Sequence, residues 1–214
     1  MGKQERLFGW HYGGPMTMDV APSRHFPVSA GVFFGLGLGG FFDGIVLHQV
    51  LQWHHMLSSW YPVNTIENLE LNTRWDGIFH STTYLFVLFG LFLLWRTAHR
   101  RHLYWSSKLL IGTMLLGFGI FNTVDGIIDH HLLGIHHVNE TVAREYWPVW
   151  DIAFTVSGAA MIIWVGWSCA ADSARRHNDP DDTARRSVWL VCGCGRGGNV
   201  PDLEFVAVGV QSDA

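Results

Sequence analysis

The sequence predicts an all-α fold: a polytopic membrane four-helix bundle built from a tandemly duplicated two-helix unit. Three observations point to it. Four apolar stretches, each long enough for the ~20 residues of a helical span, are separated by short polar loops. The first and third share one motif in register: Asp43, Gly44, His48 and His54-His55 against Asp125, Gly126, His130 and His136-His137. The second and fourth share another: Trp75-Asp76 and Phe79 against Trp150-Asp151 and Phe154, preceded by Val63-Asn64 and Glu70 against Val138-Asn139 and Glu145.

Composition agrees. The 214 residues fit one domain, and 15% of them are charged, below the usual ~25%. A mean hydropathy of +0.16 is modest only because polar ends dilute an apolar middle. No basic patch interleaves with aromatics, which argues against nucleic-acid binding. Cys169, Cys192 and Cys194 are too few and too clustered for a disulfide scaffold. The first 27 residues are polar and rich in Gly and Pro, so the first hydrophobic helix is expected to be its own insertion signal.

Residues 1–27 read as a polar arm, broken by Gly13-Gly14-Pro15, Pro22 and Pro27. Residues 28–57 form the first helix. Its Gly31, Gly35 and Gly39, four apart, make a face on which another helix packs closely. Residues 58–73 are a polar loop with Pro62, Asn64, Glu67 and Glu70. The second span, 74–96, is stopped by Arg96, Arg100 and Arg101. The third, 105–138, ends in the second His motif. A loop over 139–147 leads to the fourth span, 148–170, with Pro148 at a first helical position. The transmembrane domain thus covers 28–170, with repeat one about 28–97 and repeat two about 105–170. Residues 171–214 are expected as a poorly ordered cytoplasmic tail, in which Cys192-x-Cys194 is a weak soft-metal motif.

Two spans per unit give both copies the same orientation, related by an axis along the membrane normal. Four helices round that axis enclose one polar centre. Of the 14 Lys and Arg, all but Arg74 and Arg144 fall on the side of the termini and the 96–108 loop. The positive side faces the cytoplasm, so both termini are expected there and the His motifs at the outward-facing helix ends.

A polar group in the hydrocarbon layer is costly and usually functional. On a rise of ~1.5 Å per residue, His48 and His130 lie about 12–14 Å inward of the outer helix ends and His80 about 9 Å inward. That predicts an inner layer of His48, His80 and His130. It also predicts an outer layer of His55, His137, Asp76 and Asp151, with His54 and His136 beside it. At ~100° per residue, His48 shares a stripe with His55, and His130 with His137. Asp43 with His54, and Asp125 with His136, fall on another stripe, and the first is expected to face the axis.

Three imidazoles from three helices with an open fourth direction make a site for copper, zinc or iron. Asp76, Asp151, Asp129, Glu70 and Glu145 are available to fix imidazole tautomers or to add a ligand. Asp43, Asp125, Asp129, His54, His131 and His136 are secondary candidates. His48 and His55 are too far apart along the axis for one ion, so two sites, or one site with an access path, fit better. Plainer readings exist. His54, His55, His136 and His137 taken singly suit snorkelling at the interface. Asp43 and Asp125 suit hydrogen bonds across helices, and Asp76 and Asp151 suit helix N-caps. Three buried His at one depth, however, need partners.

Gly40-Phe41-Phe42-Asp43-Gly44-Ile45-Val46-Leu47-His48-Gln49, Gln52-Trp53-His54-His55 and Asp76-Gly77-Ile78-Phe79-His80 resemble the bacterial integral-membrane family filed as domain of unknown function 2243. The likeness covers roughly residues 28–170. It implies a multi-pass protein of the bacterial inner membrane and supplies no activity.

The expected function is an integral membrane metalloprotein with copper as first choice and zinc or iron next. It would be a redox enzyme or a copper-handling factor serving respiratory-chain components. The rivals are a b-type haem carrier with His axial ligands, a proton or ion pathway lined by Asp43, Asp125 and the His layers, and a metal-free scaffold.

Overall fold

The computed structural model describes residues 24–100 and 103–177. Most of the expected N-terminal arm and most of the expected tail, with Cys192 and Cys194, lie outside the described residues.

The described residues are all-helical apart from loops and one short pairing. Helix α1 (Val28–Phe41) passes directly into a π-helical turn, Phe42–Val50. Helix α2 runs Ile66–Arg100. Helix α3 (Ser107–Asp125) passes into a second π-helical turn, Gly126–Leu132. A 3-10 turn, Arg144–Tyr146, leads into α4, Trp147–His177. Among the described residues, four helices are long and apolar enough to cross a membrane. Two residues on each side, Arg24–His25 (β1) and Leu103–Tyr104 (β2), pair in parallel just ahead of α1 and α3. The Ser106 hydroxyl caps α3 by accepting from Leu109 N–H.

Helices α1 and α3 form the centre. Helix α2 packs on α1 and α4 packs on α3. The glycine stripe explains the central contact. A methyl group on Gly35 would sit 2.1 Å from Met114 O, and one on Gly117 would sit 2.1 Å from Val32 O. The two backbones therefore touch, with no room for a side chain between them. Outward faces carry large apolar side chains such as Leu85, Leu91, Trp95, Ile163 and Trp167, as suits helices bordered by lipid.

Helix ends differ from the sequence expectation. The first and third helices stop at Val50 and Leu132, not near residues 57 and 138, while α2 starts earlier, at Ile66, and α4 runs beyond residue 170. The reason is local. Leu51 N–H bonds Val46 O and Leu133 N–H bonds Ile128 O, both five residues back at 2.8 Å, which is π winding. Gln52 (φ 50°) and Gly134 (φ 56°) then turn the chain through the left-handed region and out of the helix.

Candidate metal centre

The π turns decide which side chains meet. In an α-helix, residues five apart point ~140° away from each other at ~100° per residue. In a π turn, five residues close one hydrogen-bonded ring. Asp43 and His48 therefore share a face, with Oδ2 and Nε2 3.0 Å apart. Asp125 and His130 do the same at 3.1 Å. This corrects the α-helical reckoning, which set Asp43 and Asp125 on a separate stripe from His48 and His130.

Each inner His is held from its other side by a carboxylate on a neighbouring helix. His48 Nδ1–H donates to Asp76 Oδ1 at 2.9 Å, and His130 Nδ1–H to Asp151 Oδ1 at 3.1 Å. The second oxygen of each carboxylate accepts from the outer His: His55 to Asp76 at 2.7 Å and His137 to Asp151 at 2.6 Å. Backbone N–H groups of Met56 and Val138 complete both carboxylates at 2.9 Å. Asp76 lies well inside α2 and Asp151 inside α4, so neither is an N-cap of its own helix. Phe79 stacks on His48 and Phe154 on His130.

The loops beyond the π turns deliver the central pair. His54 Nδ1–H donates to Val138 O at 2.9 Å, and His136 Nδ1–H donates to Met56 O at 3.0 Å. A carbonyl only accepts, so the proton is on Nδ1 and the lone pair on Nε2 in both rings. The two rings stack, 4.6 Å apart and 5° from parallel. They are 2% and 1% exposed, and neither Nε2 has a hydrogen-bond partner among the described residues. Asp43 Oδ1 lies 3.7 Å from His54 Nε2 and is itself without one. Ligand atoms of His48, His54 and His136 lie within 4.8 Å of one another, and so do those of Asp125, His130 and His136.

Burial holds the His136 imidazole down at about 3, and neighbouring His130 acts the same way. Burial likewise holds His54 well below the ordinary histidine range, with His136, His48 and His130 adding to it. Both are neutral imidazoles at physiological pH.

The expected inner layer of His48, His80 and His130 is not what assembles. His80 faces elsewhere: its Nδ1–H donates to Asp76 O at 2.7 Å, and its Nε2 lies against Gly44, buried and without a partner. His55, His137, Asp76 and Asp151 do come together, but as the carboxylate-bearing surround of His48 and His130. The secondary candidates Asp43, Asp125, His54 and His136 move to the centre. Asp129 sits beside Asp125, half-buried. His131 is exposed and outside the cluster. No residue type was missed; the exchange of His54 and His136 between loops was, and the repeated His-His pair was its signal.

This fold and site define a four-helix membrane protein with a buried His–Asp centre. Residues 30–173 match the model of the family described as predicted membrane protein (DUF2243), and the chain belongs to that family. No curated protein and no solved structure matches it.

Proposed function

We propose that the protein is an integral membrane metalloprotein whose transition metal is held by His48, His54, His130 and His136 with Asp43 and Asp125. The supporting observation is the pair of buried Nε2 lone pairs on His54 and His136, with no hydrogen-bond partner. Buried polar atoms are normally partnered, and a neutral imidazole whose other nitrogen donates to a carbonyl is an oriented metal ligand. Asp76 and Asp151 supply the matching carboxylate hold on His48 and His130. The donors are nitrogen and oxygen without sulfur, a set suited to Cu(II), Zn(II) or Fe(II) rather than Cu(I). Copper stays first among them. Bound copper or iron would supply one-electron chemistry, and zinc a Lewis acid.

The burial of every ligand favours a resident ion over one passed to a partner, so a redox enzyme is the better of the two copper readings. A b-haem is disfavoured: ligand atoms of His48, His54 and His136 lie within 4.8 Å of one another, as do those of Asp125, His130 and His136, leaving no room for a macrocycle beside any one of them. The recurrence of each contact in the two halves supports a duplicated two-helix unit. The positive-inside bias supports an inner-membrane orientation with cytoplasmic termini and an outward-facing centre.

Metal analysis of the detergent-purified protein tests the reading. At least one transition-metal ion per chain is expected in the wild type and loss of it in a His54→Ala/His136→Ala variant. A wild type that takes up no metal even after reconstitution overturns it.

A further inference from the structure

We infer that the centre is dinuclear, with one ion on Asp43, His48 and His54 and a second on Asp125, His130 and His136, side by side at one depth. The inference rests on the metalloprotein reading above and specifies its stoichiometry.

The ring geometry carries it. An imidazole's lone pair lies in the plane of its ring. The His54 and His136 rings are 5° from parallel with centroids 4.6 Å apart. Two parallel stacked planes share no point, so no single ion lies in line with both lone pairs. Two coplanar rings facing each other across an ion would need a wider separation than this, at ~2.0–2.1 Å for each metal–nitrogen bond. His54 and His136 therefore serve different ions, although each is near His48 or His130.

Within each half the rings stand in the opposite relation. His48 and His54 are 69° apart in plane at 4.3 Å, and His130 and His136 are 73° apart at 4.7 Å. Steeply inclined rings can aim their lone pairs at a common point. Each such pair has its own carboxylate. Asp43 lies 3.0 Å from His48 Nε2 and 3.7 Å from His54 Nε2, and Asp125 lies 3.1 Å from His130 Nε2. Ligands of one tetrahedral ion at ~2.0–2.1 Å stand about 3.4 Å from each other, so these contacts are the right size for one ion per triad.

Charge points the same way. Asp43, Asp76, Asp125 and Asp151 are all buried, and no Lys or Arg is buried among the described residues. Imidazoles are their ion-pair partners, and an unbalanced buried carboxylate is strongly unfavourable. With the imidazoles neutral, as metal ligands are, two divalent ions balance four carboxylates; one leaves half of them over.

The test uses the full chain in detergent, stripped of metal, loaded with Cu(II) alone and freed of excess. Elemental analysis is expected to give two copper ions per chain. Electron paramagnetic resonance of the same wild-type sample is expected to show spin coupling, as a half-field transition or as intensity missing from the copper count. Asp43→Asn and Asp125→Asn, each taken singly, are expected to bring the ratio from two to one and to leave an isolated Cu(II) spectrum. One ion in the wild type with an isolated spectrum overturns the dinuclear centre and leaves the metalloprotein reading standing. Two uncoupled ions overturn it by placing them apart. No copper at all overturns both readings.

Discussion

His54 and His136 each anchor to the other's loop. His54 donates to Val138 O and His136 to Met56 O, at 2.9 and 3.0 Å, while their rings stack between the two strands of chain. Ser59 N–H to Ile135 O and Glu140 N–H to Trp53 O tie the same loops further. The centre is thus assembled by an exchange of side chains across two connections, and its imidazoles depend on each other for position.

Replacing either ring by Ala is therefore expected to destabilise the fold. Each leaves a buried carbonyl without its donor, a loss of about 1–3 kcal/mol, and removes the stacking partner. The double variant should lose less than the singles combined, because the rings share one contact. Thermal unfolding of the metal-stripped protein in detergent reads this directly; strictly additive losses would count against a shared unit.

Asp76→Asn and Asp151→Asn are expected to weaken metal binding about 10–100-fold, the usual cost of losing a carboxylate that orients a ligating His. The amide oxygen still accepts from Met56 or Val138 N–H, so the fold should survive. Competition against a chelator of known affinity measures the loss, and unchanged affinity would contradict the assigned role.

The pH dependence has a definite sign. His54 and His136 sit below the unfolded value of ~6.5, His136 at about 3, because burial disfavours their charged forms. Below pH ~6.5 the unfolded chain binds protons that the folded chain refuses. Their contribution is therefore complete above that pH and is lost as pH falls, by up to ~1.4 kcal/mol per unit for each ring. Relative to wild type, a metal-stripped His136→Gln variant should lose less stability, or gain more, between pH 7.5 and 5.5. An unchanged difference between the two proteins across that range would show that His136 is not a buried neutral base.

Gly35→Ala should be severely disruptive, since its methyl meets Met114 O at 2.1 Å and Gly117 Cα at 2.8 Å, both backbone atoms that cannot rotate away. Gly77→Ala is the control. Nothing lies within 4 Å of its added methyl, and an exposed helical Gly→Ala gains up to ~1 kcal/mol. Comparing folded yield and melting of the two checks whether the α1–α3 backbone contact holds the centre together.

Much of this was legible in the chain. Apolar length gave the spans, and the Gly31, Gly35 and Gly39 stripe gave the first helix's close-packing face. The in-register recurrence of Asp, His and His-His marked the chemistry-bearing residues. What could not be read was their angular placement. Asp43 and His48 face apart at α-helical pitch, and the hydrogen bond from Leu51 N–H to Val46 O shows that the pitch has changed. Hydrophobic periodicity does not register this, because Phe42, Ile45 and Val50 stay apolar on the outside in either winding. His80 departs from its expected layer for the complementary reason: depth along the helix says nothing of the neighbouring Gly44 that its ring fills against.

The two wide turns carry a consequence for how this centre tolerates change. A π turn holds one more residue than the α turn it replaces. Removing Gln49 or Val50 would let that stretch rewind to α pitch with Asp43 and His48 still five apart, and so turned ~140° away from each other. The winding between Asp43 and His48, and again between Asp125 and His130, is thus as much a part of the site as the imidazoles. Substitutions of the flanking apolar residues should be forgiven there far more readily than a one-residue gap.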